Sequence, residues 1–391
     1  MDRLTGTVQP YAWGTTDFIA ELLGTEPTGE PQAELWLGTH PSAVSMLGDR
    51  RLDELIDADP EPMVGSAAVA EFGPVLPYLL KVLSAAKPLS LQAHPDRAQA
   101  EEGFAQEEAA GVARDAPERT YKDDWPKPEA MCLLSDAELL CGFREPSETY
   151  ALFAELGVPA ALELVAPLQG GGARELKRVF AQILEHDGSQ RHVVGRVLEA
   201  ARGQSGDGEF GLFLRTAVEL GDAYPDDPGV LAALLMNRVR LERYQAVFLA
   251  AGNLHAYLHG NGVEIMANSD NVLRGGLTAK SVNVGELLKV LDFTPGFPGV
   301  VPCMEEPAGV WSYQTPAPEF ALWRLEVGDA ALRVPRAGSG RVLLVTEGSV
   351  TARTAGASLS LDRGQSAFLT AEDDAELGGR GVVFVAAPGI G

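Results

Sequence analysis

Residues 246–266 read AVFLAAGNLHAYLHGNGVEIM, and this stretch indicates the fold class. Its apolar segments have the length of strands, and two of them flank the HGNG segment at 259–262. An Asn-Gly pair between apolar segments is a strong signal for a β-hairpin. We therefore predict antiparallel strands here. His255 and Tyr257 would share one face, because side chains two apart in a strand point the same way.

The rest of the chain divides into regions of different pattern. Residues 1–145 and 239–315 contain short strand-like segments separated by Gly and Pro, whereas 146–238 show apolar residues at helical spacing. Residues 316–391 show closely spaced strands typical of a sandwich or jelly roll. We predict a mainly β chain in which the first two ranges form a catalytic domain and 146–238 form a helical insertion. The last range would be a C-terminal β domain without metal ligands, since it contains neither His nor Cys.

Several local signals accompany this division. Helix-like composition at 53–56 and 96–108 predicts two helices within the first region. The apolar run at 341–345 predicts a buried strand, and the Glu-Gly-Ser segment that begins at Glu347 predicts a turn after it. In the helical insertion, we expect His186 and His192 to be surface residues rather than ligands.

Composition and charge exclude several classes of protein. The 391 residues carry a formal net charge of -24, which argues against a nucleic-acid partner, since phosphate backbones require a basic surface. No apolar run is long enough to span a membrane, and the first residues contain no apolar segment of the secretory type. The three cysteines fit neither a disulfide framework nor a CxxC zinc motif. We expect a cytoplasmic protein with reduced thiols.

The lysines are unevenly distributed. Only seven of the 31 basic residues are lysines, and six of these fall within 81–127 and 280–289. A lysine ammonium is a compact charge with a tunable pKa, whereas arginine is permanently charged. The clustering indicates that these positions require an ammonium group, although chance clustering is an alternative.

Four residues form a candidate metal site. Gln92 and His94 would lie on one face of a strand, together with Ser90. Glu129 follows a Pro-Lys-Pro segment that stiffens the backbone, and His255 lies in the stretch quoted above. Two imidazoles, one carboxylate and one amide oxygen are a plausible zinc ligand set. From spacing alone, a hydrogen-bonded structural role for each histidine remains the alternative.

A second candidate site is the polar, glycine-rich segment NSDNVLRGGLTAK at 268–280. Its two cations and its hydroxyl and amide groups suit a phosphate or a polyol. A solvated turn is the alternative interpretation of this segment.

These residues resemble those of the type I mannose-6-phosphate isomerases. The most specific segments are QAHPD at 92–96 and SDNVLRGGLT at 269–278. The further matching segments, in chain order with these, are Tyr11–Gly14, Ala33–Trp36, Gly38–Ser42, Leu79–Leu83, Tyr121–Asp123, Lys127–Glu129 and Gly252–Leu258.

The resemblance implies tandem cupin (jelly-roll) domains with a helical insertion and one zinc ion per chain. It implies Gln92, His94, Glu129 and His255 as the ligands. The pocket residues that it implies are Arg274, Lys127, Glu264, Tyr257, Asp270, Lys280 and Trp13. The expected reaction interconverts mannose 6-phosphate and fructose 6-phosphate through a cis-enediol, with a phosphosugar as the partner and a monomeric chain.

Several roles follow as hypotheses from this reaction. Arg274 would neutralise charge on the substrate, and Ser90, Lys87 and Lys280 would bind the phosphate. The base is left open between Glu264 and Lys127. A non-catalytic sugar-binding cupin and a metal-dependent cupin oxygenase are the alternatives, although oxygenases prefer several histidine ligands.

Overall fold

The computed structural model describes residues 1–185 and 189–390. The first part of the chain contains β1 (Asp2–Thr5), β2 (Thr7–Gln9), α1 (Phe18–Leu23), β3 (Glu34–His40), β4 (Ala43–Val44), β5 (Met46–Leu47), β6 (Arg50–Arg51), α2 (Leu52–Ala58), α3 (Pro60–Val64), α4 (Ser66–Phe72), β7 (Tyr78–Ala85), β8 (Gln92–Ala93), α5 (Arg97–Ala109), β9 (Glu129–Leu133) and β10 (Ala137–Phe143). Helices α2 and α5 lie at the two positions where the composition predicts helices.

A block of helices follows. It contains α6 (Pro146–Leu156), α7 (Pro159–Val165), a 3-10 helix (Ala166–Gln169), α8 (Ala173–Leu184), α9 (Ser189–Arg202), α10 (Gly208–Ala223) and α11 (Gly229–Ala233). The remainder contains β11 (Met236–Leu241), β12 (Ala246–Leu249), β13 (His255–Ala267), β14 (Leu273–Arg274), α12 (Val284–Val290), β15 (Cys303–Glu305), β16 (Val310–Tyr313), β17 (Ala321–Val327), β18 (Leu332–Arg333), β19 (Arg341–Arg353), β20 (Ser358–Asp362), β21 (Ser366–Leu369) and β22 (Glu376–Ala387).

The strands form two antiparallel sheets. In the first sheet the order is β11-β10-β13-β7-β3-β2, and β4, β8, β9, β12 and β14 pair with its members. In the second sheet the order is β15-β16-β17-β22-β19-β21-β1-β5-β6, with β18 and β20 attached to it. The predicted fold class, a mainly β chain with tandem cupin-like sheets and inserted helices, is therefore confirmed.

The hairpin predicted at 259–262 is wrong, because β13 runs through these residues as one strand. The first half of β13 pairs with β10, and its second half, from Gly260 to Ala267, pairs with β7. Gly260 has a φ of 119°, and a Cβ there would lie 2.4 Å from the Cβ of Ala137. The glycine therefore allows the strand to pass closely from one set of partners to the next without reversing.

The turn predicted from Glu347 is wrong for a similar reason. Strand β19 continues through this segment, and its pairing with β22 shifts register between Val345 and Glu347. Gly348 has a φ of 72°, and a Cβ there would lie 2.1 Å from the carbonyl oxygen of Arg380. Gly348 therefore accommodates an irregularity of pairing inside a long strand and does not mark the end of that strand.

Strand pairing crosses the predicted domain boundaries. Strands β1, β5 and β6 belong to the second sheet, although they lie within 1–145. Strands β15 and β16 also join the second sheet, although they lie within 239–315. Such pairings join segments that are distant in sequence, such as Leu4 with Ser366. The division into domains stays a prediction.

Two hydrophobic cores hold the site in place. One core contains the buried faces of the helical block and includes Leu91, Ala93 and Leu254, which neighbour three of the candidate ligands in sequence. The other core lies between the two sheets. There the hydroxyl of the fully buried Tyr78 donates to the carbonyl oxygens of Gly340 and Ala386, at 3.1 and 3.0 Å. Both cores contact elements that carry the candidate ligands, so the backbone of the site is rigidly supported.

Two further predictions concern the surface and the membrane. His192 is exposed on α9, as expected, whereas His186 lies outside the described residues. Among the described helices, none combines the length and apolar character that crossing a membrane requires.

Candidate functional site

The four predicted ligands lie on neighbouring elements of the first sheet. Gln92 on β8 is directly opposite His255 on β13 and also opposite Arg274 on β14. His94 follows two residues after Gln92, and Glu129 begins β9. The structure therefore brings together residues that are far apart in the sequence.

Three of these residues offer ligand atoms to one point. The ligand atoms of His94, Glu129 and His255 all lie within 4.8 Å of one another. A carboxylate oxygen of Glu129 is 3.3 Å from Nε2 of His94 and 3.4 Å from Nε2 of His255. All three side chains are buried.

Backbone carbonyls orient both imidazoles. Nδ1 of His94 lies 2.7 Å from the carbonyl oxygen of Asn271, and Nδ1 of His255 lies 3.1 Å from that of Asn253. A carbonyl oxygen only accepts, so Nδ1 of each ring carries a proton, and Nε2 of each ring faces Glu129. A backbone carbonyl behind the ring is typical of histidines that bind a metal.

The charges of the cluster also suit a cation. Burial lowers the pKa of His94 to about 4, so the ring is neutral at physiological pH. Burial opposes ionisation of Glu129, but the Lys127 ammonium 2.8 Å away holds its pKa well below the usual range. Nε2 of His94 is buried and has no hydrogen-bond partner among the described residues. The neutral ring of His94, Nε2 of His255 and the ionised carboxylate of Glu129 therefore meet at one point, an arrangement that a bound cation would stabilise.

Gln92 completes this arrangement at the edge of a pocket. Its amide nitrogen donates to Oγ of Ser90 at 3.3 Å, so its amide oxygen is the atom available for other partners. The pocket has a volume of about 50 Å³. The residues that line it are Glu34, Lys81, Leu83, Leu89, Gln92, Lys127, Glu129, His255, Ala256, Tyr257 and Glu264.

A buried group of charges forms one wall of the pocket. Nζ of Lys81 lies 3.2 Å from Glu264 and 3.8 Å from Glu34, and it also lies 5.0 Å from the centre of the Trp36 ring. Burial raises the pKa of Glu264, and the Lys81 ammonium counteracts this only in part. Burial disfavours the charge on Lys81, but the surrounding carboxylates outweigh it and raise the pKa of Lys81. Glu264 is thus a carboxyl group whose proton affinity is increased by its surroundings.

Tyr257 lies in the same pocket. Its hydroxyl is buried and has no hydrogen-bond partner among the described residues. Burial and the nearby Glu264 carboxylate raise the pKa of Tyr257 well above its usual value. The hydroxyl therefore keeps its proton and can form a hydrogen bond with a ligand.

Two cations, Arg274 on β14 and Lys280 after it in the chain, lie close together. Arg274 is half-buried, and burial lowers its pKa. The neighbouring Arg274 charge, burial and the Lys122 charge lower the pKa of Lys280. Neither Arg274 nor Lys280 forms an ion pair with a carboxylate of the described residues. These mutually repelling cations would be stabilised by an anionic ligand.

The remaining predicted substrate residues lie in more exposed positions. Asp270 is exposed and accepts from Nε2 of His40 at 3.0 Å. Burial would raise the pKa of Asp270, but the hydrogen bond from His40 outweighs it and the pKa is lowered. Trp13 stacks on Tyr11, with ring centres 5.8 Å apart. Lys87 is exposed, and its amide nitrogen donates to the carbonyl oxygen of Trp13.

Comparisons with known proteins relate this geometry to a family. The family model of the phosphomannose isomerase type I catalytic domain matches residues 1–146. The mannose-6-phosphate isomerase of Escherichia coli (strain K12) is 36% identical over 382 residues, which cover 95% of each chain. The human mannose-6-phosphate isomerase is 31% identical over 414 residues, covering 96% of this chain and 94% of the human protein. The chain belongs to the type I phosphomannose isomerase family.

A solved structure of this family resembles the chain along its whole length. The mannose 6-phosphate isomerase from Salmonella typhimurium, bound to substrate and a zinc atom, superimposes with a TM-score of 0.90 and 34% identity. The match covers 99% of both chains. The similarity thus extends to both sheets and the helical block.

Three residues in or near the pocket were not among the predicted site residues. Glu34 and Lys81 line the pocket, and Asn271 orients His94. All three lie within the family segments quoted above, and Lys81 also belongs to the lysine cluster. Their contacts join segments that are far apart in the sequence, so only the resemblance and the lysine distribution could have indicated them.

Proposed function

We propose that this chain is a zinc-dependent isomerase that interconverts mannose 6-phosphate and fructose 6-phosphate. The observation that carries the proposal is the buried cluster of His94, Glu129 and His255, whose ligand atoms lie within 4.8 Å of one another at the edge of a pocket. Membership of the type I phosphomannose isomerase family supports the reaction. Arg274 and Lys280, which form no ion pair with a carboxylate of the described residues, support an anionic substrate.

The proposed zinc ligands are Gln92, His94, Glu129 and His255. The two imidazoles, the ionised carboxylate and the amide oxygen form a donor set that zinc accepts. Bound zinc would supply a Lewis acid that polarises substrate oxygens and offsets negative charge in the enediol. With only one anionic ligand, the site would keep a net positive charge for this purpose.

The proposed phosphate site contains Arg274 and Lys280, neither of which forms an ion pair with a carboxylate of the described residues. Arg274 is close enough to Lys280 to lower the pKa of Lys280, and the charge of Lys122 acts in the same direction. Ser90 accepts from the Gln92 amide and Lys87 is exposed, and we propose that both also contact the phosphate. Two negative charges on the phosphate would relieve the repulsion among these cations.

The reaction moves a proton between C2 and C1 of the open-chain sugar. A base removes the proton from C2 of mannose 6-phosphate and returns it to C1, while a hydroxyl proton is gained at O1 and lost at O2. Glu264 fits this role because its raised pKa makes the carboxylate a stronger base. Lys127 is the second candidate, but its ammonium is paired with Glu129 at 2.8 Å.

Three further residues would hold the sugar. The unpaired hydroxyl of Tyr257 is available to a sugar oxygen, and the carboxylate of Asp270 can accept from a sugar hydroxyl. Trp13 offers an aromatic ring near the rim. We also infer a monomeric cytoplasmic enzyme without nucleic-acid or membrane partners. Formation of mannose 6-phosphate would feed GDP-mannose biosynthesis, and the reverse reaction would feed glycolysis.

The test of the function is the turnover of mannose 6-phosphate by purified protein before chelation, after chelation and after zinc is restored. We expect activity to disappear with the chelator and to return with zinc. Activity that is indifferent to chelation would remove zinc from the mechanism. If zinc-loaded protein binds the phosphosugar but shows no turnover, the chain is a sugar-phosphate-binding protein instead.

The identity of the base is tested by pH–rate profiles of Glu264→Gln and Lys127→Met. A carboxylate base must be deprotonated, so the activity should fall as the pH decreases through the raised pKa of Glu264. Glu264→Gln should lose this decrease in activity at low pH and should lower kcat by about 100-fold or more. Lys127→Met should keep this decrease. If both variants keep near-normal turnover, neither residue is the base.

A further inference from the structure

Asn271 is fully buried, and its side-chain amide binds the segment 122–125. The amide nitrogen donates to the carbonyl oxygens of Asp123 and Trp125, both at 2.8 Å, and to the Asp123 carboxylate at 3.2 Å. The amide oxygen accepts from the backbone nitrogens of Lys122 at 2.7 Å and Asp123 at 3.4 Å. One side chain thus satisfies several polar groups of a segment that forms neither a helix nor a strand.

The neighbours of Asn271 strengthen this connection. The Asp123 carboxylate accepts from the hydroxyl of Ser269 at 2.7 Å and from the backbone nitrogen of Asp270 at 2.9 Å. The backbone nitrogen of Asn271 in turn donates to Oγ of Ser269 at 3.2 Å. We name this network, residues 122–125 with 269–271, the amide clasp.

The amide clasp reaches the metal site through the backbone of Asn271. Its carbonyl oxygen accepts from Nδ1 of His94 at 2.7 Å, the shorter of the two contacts that orient the imidazoles. The segment 122–125 leads directly into Lys127 and Glu129. At its other end, Lys122 lies close enough to Lys280 to lower the pKa of that residue. The clasp therefore joins one ligand to the segments that carry the other groups.

We propose that Asn271 is a positioning residue that couples metal binding at His94 to the order of the segment 122–125. A metal on Nε2 polarises the imidazole and strengthens the Nδ1–H bond to the carbonyl oxygen of Asn271. A carbonyl held in this way restrains the amide of the same residue, and the amide restrains the segment. The inference rests on the zinc site of the proposed function but not on the isomerase reaction.

The first test uses the unmodified protein. Hydrogen exchange of the backbone amides of Lys122, Asp123 and Trp125 is measured with and without zinc. The first two donate to the Asn271 side chain and the third to the Asp123 carboxylate. We expect zinc to slow the exchange of all three. Equal exchange in the two states would overturn the coupling.

The second test compares Asn271→Ala with Asn237→Ala. The Asn237 amide also donates to three backbone carbonyls, those of Cys141, Gly142 and Phe143, but none of them belongs to the clasp. Zinc affinity is measured by competition with a chromogenic chelator. We expect Asn271→Ala to weaken zinc binding by about 10-fold or more, the usual effect of losing a residue that supports a metal ligand, and to lose the zinc-dependent protection of Lys122. Asn237→Ala should change neither.

The outcomes separate this inference from the proposed function. If Asn271→Ala binds zinc as tightly as the unmodified protein, Asn271 does not position the site. If Asn237→Ala weakens zinc to the same degree, the effect is a general loss of stability and the inference also fails. Should Asn271→Ala not fold, the exchange measurement on the unmodified protein decides. None of these readouts depends on turnover, so zinc-linked protection would remain valid even if the chain did not isomerise phosphosugars.

Discussion

Lys81→Met should destabilise the protein in a strongly pH-dependent way. The side chain of Lys81 is only 8% exposed and lies between the carboxylates of Glu34 and Glu264, at 3.8 and 3.2 Å. Methionine keeps most of the volume but removes the charge. Two buried carboxylates would then face each other without the cation between them, and breaking a buried ion pair in this way costs about 3–5 kcal/mol.

Protonation of one carboxyl limits this cost. The group would keep its proton in the folded state, so its folded pKa would rise above the ordinary value of 4.5 for glutamate. Each unit of difference between the pH and the unfolded pKa costs about 1.4 kcal/mol, so the penalty reaches at most about 4 kcal/mol near pH 7.5. It falls to about 1.4 kcal/mol near pH 5.5, because the unfolded chain then also binds the proton more readily. The variant should therefore recover stability relative to the unmodified protein as the pH decreases.

Urea unfolding of metal-free protein at several pH values measures this effect, since bound zinc would otherwise contribute to stability. The double variant Lys81→Met/Glu264→Gln provides the control. It removes one of the two opposed carboxylates, so near pH 7.5 it should recover most of the stability that Lys81→Met loses. The difference between its unfolding free energy and that of the unmodified protein should depend little on pH. A destabilisation by Lys81→Met that does not change with pH would refute the electrostatic account. So would a double variant that is as unstable as the single one.

Three further predictions concern the metal, the sugar and the phosphate. Glu129→Gln should abolish stoichiometric zinc binding in metal analysis of the purified protein, because it removes the anionic ligand; retained zinc would contradict the ligand set. Tyr257→Phe should change the unfolding free energy by less than about 0.5 kcal/mol, since the hydroxyl has no partner among the described residues, while it raises KM for the phosphosugar; a stability loss with unchanged KM would assign the hydroxyl to the fold. Arg274→Met should weaken competitive inhibition by inorganic phosphate by about 10-fold or more, as expected for a hydrogen bond to a charged group. The exposed Arg363→Met should leave this inhibition unchanged, and equal loss in both variants would indicate only a change in net charge.

The sequence by itself determined the chemistry available and the fold class. A scattered set of Gln, Glu and His residues is weak evidence alone, but QAHPD at 92–96 and SDNVLRGGLT at 269–278 identified the family. Helical spacing at 146–238 predicted the block of helices because packing one face of a helix requires that period. These features are local, so the order of residues along the chain is enough to reveal them.

The predictions from glycine failed where long strands cross between partners. The local pattern around Gly260 and Gly348 predicts turns, yet both residues lie inside strands of 13 residues. A glycine with positive φ serves a turn or a close backbone approach equally well. The choice depends on partners such as Ala137, which lies more than 100 residues before Gly260. No local pattern contains that information.

Only the tertiary structure decided how the site groups act on one another. The tautomer of His94 follows from the carbonyl of Asn271, and the raised pKa of Glu264 follows from burial near Glu129 and Glu34, which Lys81 offsets only in part. These residues are separated by tens to hundreds of positions, and electrostatic interactions depend on distance and burial rather than on sequence order. The sequence therefore specified which groups are present, whereas the protonation state and direction of each group arise when the strands bring them together.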